Sequence, residues 1–136
     1  MADHPRFGPA GVPPSFRFMK ASLADVPRLL QEEGLDAFEY EAVRWGKKPQ
    51  IRKEEAERLG SAAKENDVWL SLHGSYFINF CGAKQIVEAS KQRLIACVTA
   101  AKETKVGEML REIRASKQAH ENISYVYITT GPDRLL

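Results

Sequence analysis

Apolar and polar positions along the chain repeat with two periods, and the switches between them mark the elements. Arg6–Val12 reads as a short strand running into Gly8-Pro9-Ala10-Gly11-Val12-Pro13-Pro14. It must turn by Pro13, because proline cannot donate to a central ladder. Leu23, Val26, Leu29 and Leu30 then recur at helical spacing. Pro27 fits the first turn of that helix, Asp25 its N-cap with Ser22 as the alternative, and Gly34 its left-handed C-terminal position. Ala37–Val43 alternates, which predicts a strand with Glu39 and Glu41 on one face. Lys53–Glu65 predicts a helix with Ala56, Leu59 and Ala63 as its inner stripe and a favourable Glu54/Arg58 pair. Val68–Leu72 is a compact apolar run of the buried parallel type. Lys84–Glu103 predicts a third helix, with Val87, Ser90, Leu94, Cys97, Val98 and Ala101 on one face. Val106–Ala119 repeats the helical pattern through Met109, Leu110 and Ile113, and Ile123–Thr129 is the last strand.

The order β-α-β-α-β-α-α-β makes the fold class α/β with mostly parallel strands, in a single domain over residues 1–136. The α-α junction breaks the repeat, since no strand fits between Lys102 and Val106. If the two helices form a hairpin, the last strand runs antiparallel. If they fuse, one helix of about 35 residues spans about 50 Å, longer than a small sheet. The pattern leaves both arrangements open.

Length and composition narrow the class. The 136 residues suffice for one domain but for only about half of an eight-fold barrel, which takes about 250. Apolar residues at 43% and charged residues at 28% are ordinary for a soluble globular chain. A net charge of +2 does not by itself imply nucleic-acid binding. Cys81 and Cys97 form neither a CxxC pair nor a Cys/His cluster, so a zinc finger is excluded. Two thiols in an α/β chain suit a reducing interior, hence a cytoplasmic location. The first residues carry no signal-peptide pattern, and no run of 18 apolar residues spans a membrane.

Candidate chemistry collects where strands end, as parallel sheets place it. His73 follows the third strand directly and could ligate zinc, with Glu41 as ligand or as its supporting partner. The plain alternative is a hydrogen-bonded histidine at a strand end. Arg44, Lys47, Lys48, Arg52 and Lys53 surround Trp45, which suits a phosphate backbone and an unstacked base, or else a solvated loop. Tyr76, Phe77, Asn79 and Phe80 could wedge into a duplex or pack over a barrel mouth. Ser75 and Ser90 have no visible triad partners. Gly8-x-x-Gly11 lacks the third glycine and acidic residue of a dinucleotide fingerprint.

Four segments, RFGPAGVP, LDAFEYEAVRWG, VWLSLHGSYFINF and EASKQRLIACVTAAKE, together resemble the opening of the apurinic/apyrimidinic endonuclease IV family. That family lies in the xylose-isomerase-like TIM-barrel superfamily. The most specific segment is HGSYFIN, which is similar to the family's His-x-x-Tyr-x-Ile-Asn motif. The resemblance covers about residues 6–103. It implies a partial TIM barrel, three zinc ions, and incision of double-stranded DNA 5′ to an abasic site. It implies that His73 is the first zinc-ligating histidine, that Tyr76 lines the lesion pocket, and that Arg44 enters the DNA at the lesion. The chain departs from the pattern after Glu103, where the family's strand ending in His-Pro-Gly is absent. Ile128 stands where the family has a metal-bridging glutamate, and the later Asp, His and Glu ligands fall beyond Leu136.

Two functional expectations follow. One is a zinc-dependent abasic-site endonuclease. The other is a shortened, non-catalytic homologue that binds DNA through Arg44, Trp45, Lys47 and Lys48. A sugar isomerase using Glu41 and His73 is a third, but HGSYFIN favours the nuclease branch. Half a barrel would leave open sheet edges and an uncovered apolar face, which predicts a homo-oligomer, in the simplest case a dimer of half barrels.

Overall fold

The computed structural model describes residues 5–104 and the strand 128–130. Its elements in chain order are α1 (Pro14–Phe18), a 3₁₀ turn (Leu23–Asp25), α2 (Val26–Glu32), β1 (Ala37–Glu41), α3 (Lys53–Glu65), β2 (Trp69–His73), α4 (Lys84–Glu103) and β3 (Ile128–Thr130). The three strands form one open sheet in the order β1-β2-β3. β1 and β2 are parallel, with Ala37 opposite Trp69 and Glu41 opposite His73. β3 is antiparallel to β2, with Leu70 opposite Thr130 and Leu72 opposite Ile128. The sheet is therefore mixed, with the last strand in the antiparallel direction. The expected helix Val106–Ala119 and most of the expected strand Ile123–Thr129 lie outside the described residues.

The expected first strand is only partly realised. Residues 6–12 run parallel to β1 and make a single bridge, Ala10 to Glu39. The Ala37 amide donates to Phe7 O (3.1 Å), the Glu39 amide to Pro9 O (3.0 Å), and the Gly11 amide to Glu39 O (2.9 Å). The missing rung is the one Pro9 would donate, because proline has no N–H. Gly8 allows the close approach: a Cβ there would lie 1.5 Å from the Ala37 carbonyl oxygen.

Helix ends follow from local chemistry. Ser22 and Asp25, the two candidate caps, act together: the Asp25 carboxylate accepts from the Ser22 amide (2.8 Å) and hydroxyl (2.6 Å). The Ser22 hydroxyl bond, the largest cause, holds the Asp25 carboxyl below its ordinary range. α2 closes as the glycine predicts. Gly34 is left-handed at φ 75, and the Leu35 amide returns to Leu30 O at 2.8 Å. α1 and α3 close in the same way on non-glycine residues, Lys20 (φ 53) and Asp67 (φ 51).

Strand alternation decides which sheet face is covered. Phe38 and Leu70 pack with Phe16, Val26, Leu30, Leu59, Ala63 and Val68 in the main core. Ala42, Trp45, Cys97 and Ala100 form a second cluster, joined through Tyr40, Ile51 and Leu72. Residues from all four described helices lie in these two clusters. The opposite face carries Ala37, Glu39 and Glu41 from β1 and Trp69, Ser71 and His73 from β2. The face expected to be uncovered and apolar is thus mostly polar among the described residues. Arg6 straps one end of it: its guanidinium pairs with the Asp67 carboxylate (2.9 Å) and lies 5.7 Å from the centre of the Trp69 ring. Among the described residues no helix is long and apolar enough to cross a membrane.

Candidate nucleic-acid interface

Parallel strands deliver their following loops to the same end of a sheet. The loop 42–52 leaves β1 there, and the loop 74–83 leaves β2 beside it. One hydrogen bond ties the first loop to the end of β2, and two stitch the loops together. The Ala42 amide donates to His73 O (2.9 Å), the Tyr76 amide to Val43 O (2.9 Å), and the Ser75 hydroxyl to Trp45 O (2.8 Å). Ser75 is buried, so its hydroxyl is committed to this joint.

The stitched loops present two kinds of group. Arg44, Lys47, Lys48 and Arg52 are exposed, and no acidic residue lies between Glu41 and Glu54. On the neighbouring loop Tyr76 is 67% exposed, Phe77 58% and Phe80 52%. That stretch too carries no carboxylate between Asp67 and Glu88. The aromatic loop is not slack. The Asn79 amide donates to the buried Ser90 hydroxyl (2.8 Å), the Cys81 amide to the Asn79 side-chain oxygen (2.9 Å), and the Arg93 guanidinium lies 5.8 Å from the Phe77 ring centre.

Trp45 corrects the expectation. The sequence offers it to an unstacked base or to a solvated loop, and in the structure it is neither: it is 4% exposed, inside the second core cluster and edge-on to Tyr40 at 5.9 Å. It anchors the loop whose cations face outward. Apolar neighbours from α4, Cys97 and Ala100, complete its pocket; sequence spacing alone could not bring them to it. The outward aromatic surface comes instead from Tyr76, Phe77 and Phe80.

His73 stands at the base of the same end. Its Nδ1 lies 3.1 Å from Glu39 Oε1. A carboxylate accepts only, so Nδ1 is the donor of this bond. The Tyr76 ring meets the imidazole edge-on at 5.2 Å. The sequence pointed to Glu41 as the partner of His73, but in the structure Glu39 holds it. The strand period put Glu39 and Glu41 on one face, and the register places Glu41 directly opposite His73 and Glu39 diagonally. Glu41 is exposed, and its carboxylate lies over Gly11, where a Cβ would come within 2.5 Å of Oε2.

Zinc coordination can be tested on these donors. A catalytic zinc takes three protein ligands, usually with histidine among them. Among the described residues no group of three or more His, Cys, Asp or Glu side chains is placed to hold a metal ion. The described donors do not fit the zinc cluster that the resemblance implies.

No protein-family model, no curated protein and no solved structure matches the chain.

Proposed function

We propose that the protein binds DNA through the stitched loops, as a relative of the endonuclease IV family built on part of its barrel. The observation that carries this reading is the joint between residues 42–52 and 74–83. It sets Arg44, Lys47 and Lys48 beside Tyr76, Phe77 and Phe80 at one end of the sheet, in two loops with no carboxylate of their own. Cations on phosphates supply affinity, and exposed rings suit an unstacked base or an abasic gap. In this reading Arg44 and Tyr76 flank the lesion, and Lys47 and Lys48 grip the backbone. His73, oriented by Glu39, supports Tyr76 from below.

Fluorescence anisotropy with an abasic duplex tests the proposal. The protein binds, and Lys47→Glu/Lys48→Glu weakens binding by at least tenfold at moderate salt. An unbound duplex, or an unaffected variant, would refute it. An incision assay on the same duplex with added zinc separates binding from catalysis. Incision that is lost in His73→Ala would replace the binding reading by the enzymatic one.

A further inference from the structure

We propose that residues 6–12 are a dimerisation edge, at which the segment pairs antiparallel with a second copy of itself across a two-fold axis at Pro9. Such a dimer is independent of DNA binding, and it gives the expected homo-oligomer a seam and a register. The segment lies parallel to β1 on the side away from β2, so its far side is the free edge of the sheet.

Peptide planarity decides which way the polar groups of this edge point. The described peptide bonds are trans, so each carbonyl is opposed to the N–H that follows it. Phe7 O and Pro9 O accept from β1, and the Gly11 amide donates to it. The Gly8 N–H, the Ala10 N–H and the Ala10 carbonyl therefore point away from β1. The Pro9 ring stands where an N–H would face β1, which turns the Gly8 carbonyl outward too. Gly8 and Ala10 are exposed, and their backbone groups have no hydrogen-bond partner among the described residues.

Edge strands are normally guarded by an outward-facing proline, a charged side chain or a bulge. Here the N–H that proline lacks is on the β1 side, so the outer edge is complete. Arg6 is the one charged residue of the segment. Its guanidinium is held by Asp67, with the side chain 13% exposed, so two copies meet without an unpaired charge at the seam. Self-complementarity selects a second copy as the occupant. An antiparallel pair alternates sites that exchange hydrogen bonds with sites that do not. With the axis at Pro9, Gly8 stands opposite the partner's Ala10 and the two exchange both bonds; the axis repeats the pair. Pro9 faces the partner's Pro9 at a site that calls for no N–H. Phe7, 68% exposed, falls opposite the partner's Gly11, which brings no side chain of its own. A slip of one residue would set Gly8 against the partner's Pro9, whose carbonyl faces the other way, and would lose these bonds.

Sedimentation equilibrium over about 1–500 µM tests the dimer. The seam is short, so self-association is weak and rises with concentration. Ala10→Pro removes the outward N–H and leaves the bonds to β1 in place. It raises the dissociation constant by roughly tenfold or more, while its circular dichroism melt at low concentration stays at the unaltered value. Register is read in a Cys81→Ser background. There Pro9→Cys sets two thiols at a non-hydrogen-bonded pair with Cα atoms about 4.5 Å apart, within disulfide reach. Mild oxidation links the two copies of that variant and leaves the Cys81→Ser protein itself unlinked. A monomer at every concentration overturns the proposal and leaves the edge to an extended segment of a different protein. A dimer indifferent to Ala10→Pro puts the interface elsewhere and overturns it too. Should the Ala10→Pro melt fall, the cross-link decides alone: a dimer that persists without linkage at Pro9→Cys overturns the two-fold pairing.

Discussion

Tyr40 shows how one residue links the two cores and sets a limit on alkaline stability. Its ring joins both apolar clusters and meets Trp45 edge-on. Burial, aided by the Glu55 charge, raises its hydroxyl above the ordinary value of 10.0. Burial likewise raises the Cys97 thiol above 9.0, opposed by a backbone hydrogen bond from Ser75. In both cases the folded state keeps a proton that the unfolded chain gives up first. Their contribution is fully present below the unfolded values and is lost as pH rises through the folded ones. The urea midpoint should therefore hold to about pH 9 and fall beyond it. Tyr40→Phe should flatten that fall, and an alkaline limb of unchanged steepness in the variant would contradict this account. At this scale the sequence was legible by residue type more than by partner. His73 was readable as a site residue because it follows a strand. Its partner Glu39 and the burial of Trp45 depend on which side chains meet across elements, and spacing does not encode that.

The contact between α3 and α4 is made by removing a side chain. At Gly60 a Cβ would stand 2.6 Å from the Thr104 carbonyl oxygen, where α4 ends. Glycine inside a helix normally costs about 1 kcal/mol against alanine, so Gly60→Ala would ordinarily stabilise α3. Here the added methyl meets backbone that cannot swing aside, and the end of α4 must shift. We expect a net loss of about 1–3 kcal/mol in urea unfolding; a gain would mean that the two helices separate freely. The elements themselves were largely readable. α3 and α4 have the bounds their periodicity predicts, and β1 and β2 begin and end within two residues of expectation. The failures have local causes. Pro9 removes a ladder rung from residues 6–12, and α1 is a single turn, too short for a helical period to show. The antiparallel direction of β3 is set by its pairing with β2, which the pattern of apolar positions does not encode.

A net value of +2 for the whole chain hides local stretches of a single sign. The acidic side chains of α3, Glu54, Glu55, Glu57 and Glu65, sit on a helix that begins beside the basic loop and runs to the other end of the sheet. Arg44, Lys47, Lys48 and Arg52 occupy a loop with no carboxylate of its own. A polyanion meeting that end would release counterions in proportion to the phosphates contacted. Each contact adds about 0.9 to the slope of log affinity against log salt. Lys47→Gln/Lys48→Gln should then lower the slope by about two contacts' worth, with the loss in affinity greatest at low salt. Lys64→Gln removes the same kind of charge from the last turn of α3, at the opposite end, and should leave the slope unchanged. Equal effects from the two ends would mean that net charge, and not its placement by the parallel strands, governs binding. The comparison thus asks whether the joint made by Ser75, Tyr76 and Ala42 organises an interface or only closes two loops.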